Sequence, residues 1–394
     1  SISTKDETLH ESIKRIKGEI GTEVRLSVLR GEKVWDYTLK RAKIPIYSIP
    51  YAFHYQEDVG YIRITRFANT TFNEFQEALQ KLDARNMRQL VVDLRGNPGG
   101  SLDQVVRMAG LFIPRGEIVV YTEGRYGSNH RDLRSYGEDL YDTPLIILVD
   151  KNSASASEIF SGSLQDYDRA VVVGENTFGK GLVQQLFPIR ENTKLKLTVA
   201  KYYTPSGRCI QRDWHDLSED EYRKGRGNGD VADSLVFYTL LEKREVYGGG
   251  GIMPDVLVTP DSLTDLELDF YRSNAEDRLL FNFVTGQKDR WLSLPEQYPN
   301  PLDFELTEDI ENSFIDTLRA HDLEWDEETF AEAWPRLRNL LKRDFVHYLW
   351  PDAADGLSAK EAAVAIGLQN DKVFLEALLH NEEAKRLADL HAKH

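Results

Sequence analysis

An α/β core followed by a helical tail is the fold class this sequence predicts, on three observations. Between about residues 59 and 173, short apolar runs that read as buried strands alternate with amphipathic helical patterns, the signature of a partly parallel sheet. From about residue 261 the composition shifts to long helical segments. At 394 residues the chain exceeds what one core supports, so two or three domains are expected. The composition places the boundaries at 1–42, 43–260 and 261–394.

In the first segment, Thr4 with Glu7 three residues on forms a capping box, and Leu9, Ile13 and Ile16 recur at helical spacing. Val24, Leu26 and Val28 alternate as a strand, Arg30-Gly31-Glu32 turns, and Val34 to Leu39 returns as a second strand. A helix and a hairpin in about 40 residues bury too little to stand alone. The run ESIKRIKGEIGTEVRLSVLRGEKVWDYTLKR resembles the closing half of a PDZ domain, its last helix and final strands. A PDZ groove lies between that helix and an earlier strand. The resemblance therefore leads us to expect no working peptide-capture groove from these residues.

Residues 43–70 are a Pro-punctuated connector that ends in a strand, Val59 to Ile64. Thr70 to Leu82 is a helix with Phe72, Phe75, Ala78, Leu79 and Leu82 on one stripe. Gln89 to Leu94 is a nearly all-apolar strand that runs into Arg95-Gly96-Asn97-Pro98-Gly99-Gly100 and a helix, Leu102 to Phe112. Leu145 to Val149 is the next strand, Ala156 to Asp166 a helix, and Ala170 to Val173 a further strand. Leu182 to Tyr203 alternates as two strands around a turn at Arg190 to Thr193. Asp213 to Asp230 is a charged excursion. The tail reads as helices over Leu266–Val284, Leu306–His321, Glu328–Leu349, Ser358–Ile366 (with a Ser358/Glu361 capping box) and Asp371–Ala388.

Charge and composition exclude some functions. The net charge of −16, from 49 basic and 65 acidic residues, argues against a nucleic-acid or anionic-membrane surface. The single cysteine, Cys209, permits no internal disulfide and sits in an alternating stretch as a small structural residue. No apolar run approaches the roughly 18 residues of a membrane span.

The chemistry concentrates between Asp150 and Gln185. Gly174 to Lys180 fits the phosphate loop G-x-x-x-x-G-K, but the next position, which needs Ser or Thr for Mg²⁺, is Gly181, and strand-like rather than helical sequence follows. A Ser-His-Asp hydrolase is weakened by the absence of histidine from the stretch and of a G-x-S-x-G elbow; His130 and His215 fall in polar loops and His347 in a helix. A serine nucleophile with a lysine base remains. Small residues 153–157 after a strand let a hydroxyl stand exposed at a turn, and Lys180 lies between two glycines. Lysine acts as a base only when neutral. At its unperturbed pKa of ~10.4 about 0.04% is neutral at pH 7. A fall to ~7–8 on burial makes roughly a tenth to a half available. Phe178, Val183 and the flanking glycines are expected to supply that burial.

SASASEIFSGSLQDYDRAVVVGENTFGKGLVQ, with VVDLRGNPGG before it and KLTVAKYYTPSGRCIQ and GGIMPDV after it, closely resembles the carboxyl-terminal processing (tail-specific) proteases over roughly residues 58–258. The resemblance implies the crotonase/ClpP-like β-β-α spiral core, a Ser155 nucleophile, a Lys180 base, and Gln184 orienting the lysine. Residues four apart on a strand share a face, so Lys180 and Gln184 meet if the strand starts at Lys180. An oxyanion hole needs two N–H donors; Ala156 supplies one and Gly99 or Gly100 the other. Ser153 and Ser157 are structural, and Glu158 and Asp166 serve as a helix cap or as a buried pair with Arg169. The implied activity is endopeptidase cleavage of proteins near apolar C-termini, with no metal or cofactor, in the cell envelope (periplasmic in a Gram-negative source). The helical tail is left for self-association or an adaptor. The alternative is a catalytically silent peptide-binding or scaffold protein on the same fold.

Overall fold

Thr8 opens the first helix of the computed structural model, which describes residues 8–30, 32–137, 140–191, 193–212, 235–352 and 356–392. The Thr4/Glu7 box, the charged excursion 213–230 and His215 lie outside these residues. The chain forms two compact units, Ser1–Tyr47 and Ser48–His394.

In the first unit, helix α1 (Leu9–Ile16) is capped by a second T-x-x-E: Glu11 N–H donates to Thr8 Oγ1, and Thr8 N–H donates to Glu11 Oε2 at 2.9 Å. Strands β1 (Glu23–Arg30) and β2 (Lys33–Lys40) pair antiparallel. Val24/Leu39, Leu26/Tyr37 and Val28/Trp35 stand opposite each other at every second residue and so share one face. Arg41 ties the hairpin to the helix, donating to Ile16 O at 2.8 Å and Thr22 Oγ1 at 2.9 Å.

The second unit is built on a six-stranded sheet ordered β14-β9-β8-β5-β4-β3. Its members are β3 (Tyr51–Gln56), β4 (Val59–Arg63), β5 (Gln89–Asp93), β8 (Leu145–Val149), β9 (Val171–Gly174) and β14 (Val256–Leu257). All neighbours run parallel except β3, which is antiparallel to β4. A second sheet, antiparallel and ordered β10-β11-β6-β7, holds β6 (Ile118–Gly124), β7 (Arg131–Arg134), β10 (Leu182–Arg190) and β11 (Thr193–Tyr203). A short ribbon pairs β12 (Val236–Tyr238) with β13 (Glu245–Tyr247).

Every residue of β8 is buried because both faces of the larger sheet are covered. Leu145, Ile147 and Val149 pack under helices α2 (Thr71–Asp83), α3 (Leu102–Ala109) and α4 (Ala156–Asp166) with Phe75, Met108 and Phe160. Ile146 and Leu148 pack on the opposite face with Phe374, Ala377, Ala384 and Leu387. Those four come from the last helices of the tail, Lys372–Leu379 and Asn381–His391. The rest of the tail has a core of its own around Phe270, Phe304, Phe314 and Phe345. Ala359–Leu368 joins the two layers, with Ile366 in one core and Leu368 in the other.

β3, β6, β7, β12, β13 and β14 have no counterpart among the strands the sequence predicts. β3 is an edge strand in the Pro-punctuated connector, and β6 pairs with β11 and β7 while Val119 and Val120 enter the core beneath the helices. Leu266–Val284 and Asp371–Ala388 are each two helices, broken at Arg278 (left-handed, φ 54°) and at His380. Asn274 Oδ1 accepts Leu280 N–H at the first break.

Candidate active site

Strand β8 ends at Val149, and the chain turns through Ser155 into α4. Ser155 adopts φ 55° and ψ −110°. A non-glycine residue there costs on the order of 1–3 kcal/mol and persists only where its surroundings hold it. The hold is visible. Ser153 Oγ donates to Leu94 O at 2.9 Å, Ser157 Oγ to Asn97 O at 2.9 Å, and Ala154 N–H to the same Asn97 O at 3.0 Å. Asp150 Oδ1 accepts Gly96 N–H at 2.8 Å and Asn152 N–H at 3.0 Å. Ser153 and Ser157 are thus buried structural groups. Half-buried Ser155 differs: its Oγ donates to no acceptor among the described residues.

The turn that follows β5 lies directly on this one. A Cβ on Gly99 (φ 98°) would stand 2.9 Å from Ala156 N and 3.0 Å from Ser155 Cβ, so only glycine allows that approach. Gly99 N–H donates to Asn97 Oδ1 at 2.9 Å. The amides of Gly100 and Ala156 have no acceptor among the described residues. Gly100 is locked in its turn, with Phe67 N–H donating to Gly99 O and Ser101 N–H to Phe67 O.

The lysine loop reaches the serine turn through Glu158, which is fully buried in the first turn of α4. Its Oε2 accepts Ser155 N–H at 2.7 Å and Lys180 N–H at 2.9 Å; its Oε1 accepts Thr177 Oγ1–H at 2.7 Å and Gly179 N–H at 2.6 Å. Burial raises this carboxyl above its ordinary 4.5, against the pull of the four donors. Thr177 Oγ1 also accepts Ile252 N–H at 2.6 Å. Arg212 clamps the far side, donating to Thr177 O at 2.8 Å and Gly250 O at 2.7 Å, while Gly181 N–H donates to Gln211 Oε1 at 2.9 Å. A Cβ on Gly179 would meet Arg212 Cβ at 2.6 Å, and one on Gly181 would meet Gln211 N at 2.6 Å. Close packing therefore explains both glycines beside Lys180. The sequence suggests Glu158 as a helix cap or a buried pair with Arg169; the S-x-x-E spacing from Ser155 signals the cap, and its bonds to Thr177, Gly179 and Lys180 carry no local signal.

The side chains are less assembled than the backbone. Lys180 is exposed, so the burial expected from Phe178, Val183 and the glycines is not supplied in this structure. The glycines serve contacts to Gln211 and Arg212 and leave the ammonium outward. β10 starts at Leu182, not at Lys180, and its register shifts between Val183 and Gln184. The same-face argument therefore does not join Lys180 to Gln184, which is also exposed. Among the described residues no hydrogen bond links the Lys180 ammonium to Ser155 or to Gln184. Asp166 pairs with Arg208 at 2.8 Å, both fully buried, and not with Arg169. Arg169 instead donates to Tyr141 O and Thr143 O, and burial pushes its guanidinium down to about 10. The strand after Lys180 leaves no helix N-terminus for a phosphate.

Comparison with known proteins bears on the same region. Residues 58–220 match the model of Peptidase family S41. A probable CtpA-like serine protease of Staphylococcus saprophyticus is 40% identical over 209 residues, which cover 53% of this chain and 42% of that protein. A carboxy-terminal-processing protease of Bartonella bacilliformis is 39% identical over 212 residues, covering 52% of this chain and 48% of that protein. The chain thus spans less than half the length of these curated relatives. Among solved structures, a photosystem II D1 C-terminal processing protease aligns with a TM-score of 0.41 at 25% identity, over 66% of this chain and 62% of that one.

Proposed function

We propose that this chain carries a serine endopeptidase that cuts polypeptides near their C-termini. Ser155 Oγ is the nucleophile, Lys180 Nζ the base, Gln184 the residue that orients the lysine, and the amides of Ala156 and Gly100 the oxyanion hole. The observation that carries the reading is the Glu158 carboxylate, which binds Ser155 N–H and Lys180 N–H on one oxygen and so fixes the two loops against each other. Gly100 is preferred to Gly99 because Asn97 already occupies the Gly99 amide. The strained turn at Ser155 supports the same assignment.

In this mechanism Ser155 Oγ–H passes its proton to neutral Lys180 Nζ as Oγ attacks the scissile carbonyl carbon. Two amides then hold the oxyanion. The lysine returns the proton to the leaving amine, and water hydrolyses the acyl-enzyme by the reverse sequence. In this reading a bound polypeptide covers exposed Lys180 and excludes water from it. The reaction as written draws on no metal or cofactor. The envelope location, the preference for apolar tails, and self-association or adaptor binding through the tail remain part of the proposal; among the described residues no helix is long and apolar enough to cross a membrane.

The exposure of Lys180 favours one rival, a silent peptide-binding protein on this fold. Turnover of an unstructured protein with an apolar tail separates the two. Ser155→Ala and Lys180→Ala are each expected to slow turnover by at least ~10³-fold, while binding persists. Equal rates for wild type and both variants would rule the dyad out.

A further inference from the structure

The tail reaches the oxyanion turn through one side chain. Arg95 is the first charged residue after β5, next to Gly96 in the turn that leads to Gly99 and Gly100. Its guanidinium forks. Nε and Nη2 donate to Asp93 at 3.0 and 2.7 Å, and Nη1 lies 2.9 and 2.7 Å from the two carboxylate oxygens of Asp371. Asp371 is the N-cap of the helix Lys372–Leu379, and its Oδ1 also accepts Phe374 N–H at 3.0 Å. Phe374 is fully buried edge-on to Tyr55 and Tyr61, which fixes the helix start on the sheet.

On the sheet side, the clamp is equally closed. Asp93 is buried and also takes Arg63 and, at 2.8 Å, the Tyr61 hydroxyl. Arg63 in turn donates to the backbone carbonyl of Arg95. Beside this network, Arg63, Arg95, Gly96, Asp150, Val364 and Val373 line a cavity of about 470 Å³. Besides the Arg95 fork, Arg95 and Gly96 are held here by hydrogen bonds from Arg63 to the Arg95 carbonyl and from Gly96 N–H to Asp150 Oδ1 at 2.8 Å.

We propose that Asp371, acting through Arg95, is a positioning residue for the oxyanion turn, so that the C-terminal helical layer is a working part of the active site. This rests on the serine-peptidase reading for its kinetic consequence, and on the network alone for its structural one. The turn's position decides where the Gly100 amide points. A misplacement of about 1 Å in such a group can cost up to ~10²-fold in rate. Asp371 is only one arm of the clamp, so a smaller effect is expected.

Asp371→Ser is the informative variant, because serine caps a helix as well as aspartate but cannot reach Arg95. Its expected effect is a roughly tenfold lower kcat with KM within about twofold of wild type, and faster amide exchange across Gly96–Ser101. Glu242→Gln, which breaks the exposed pair with Arg386 elsewhere on the layer, is expected to change neither. In an Arg95→Gln background, Asp371→Ser is expected to add nothing further. The proposal is overturned if Asp371→Ser leaves exchange in the turn unchanged, if its kcat falls only in proportion to the unfolded fraction, or if Glu242→Gln does the same damage. Should wild type show no turnover, the peptidase reading fails, and the exchange measurement alone decides the role of Asp371.

Discussion

Burial and hydrogen bonding pull Glu158 in opposite directions. Burial raises its pKa above 4.5, yet all four partners are donors that want the charged form. A folded value above the unfolded one means that ionising Glu158 costs folding stability. That cost is absent below pH 4.5 and complete above the folded value, so the contribution of this residue to stability falls as pH rises through the window. Activity should move the other way, because protonation turns one acceptor into a donor facing donors. Glu158→Gln imposes that clash permanently. We predict a stability that no longer falls as pH rises through this window, a kcat lower by roughly 10²-fold, and no remaining activity step from this group on the acid side. Urea unfolding and a kcat–pH profile check the three together. The motif that marks Ser155 and Lys180 as candidates is local and so readable in sequence, and the capping bond of Glu158 was readable from its spacing. The exposure of Lys180 was not, because what covers a side chain is settled by residues far along the chain.

Backbone geometry, rather than any side chain, limits what the turn after β5 accepts. Gly100 has φ 147°, and a Cβ there would lie 2.1 Å from Phe67 O. Gly116 also has positive φ, 88°, but nothing lies within 4 Å of its would-be Cβ. Gly100→Ala must therefore open the Phe67–Gly100 bridge, while Gly116→Ala meets only conformational strain. The expected costs are about 3 kcal/mol or more for the first and about 1 kcal/mol for the second, read as shifts in urea midpoint, with activity lost only in the first. A mild Gly100→Ala would show that the Phe67–Gly100 bridge does not hold this turn. The glycines themselves marked a turn in the sequence. Which of them carries a free amide depended on Asn97 folding back onto Gly99, a contact that no local pattern announces.

The larger sheet depends on two layers that the sequence reads very differently. The α2, α3 and α4 layer follows from βα alternation, so helices and strands were both legible there. The opposite layer comes from residues some 200 positions later, and its helical periodicity says nothing about which surface it covers. Phe374 tests whether that layer is part of the fold: it is fully buried, with ring centroids 4.7 Å from Tyr55 and 5.8 Å from Tyr61. Phe374→Ala leaves a cavity between helix and sheet and should cost about 3–5 kcal/mol. Because Ile146 and Leu148 of the central strand share that core, the loss should lower the unfolding midpoint of sheet and tail together. Urea unfolding followed by tryptophan fluorescence, to which the tail contributes four of the six tryptophans (Trp291, Trp325, Trp334 and Trp350), with Trp35 and Trp214 replaced by Phe so that only the tail reports, and by far-ultraviolet dichroism should give coincident curves with and without Phe374→Ala. A variant whose fluorescence transition moves while a second, separate transition stays in place would show that the tail unfolds by itself and that the sheet does not need it.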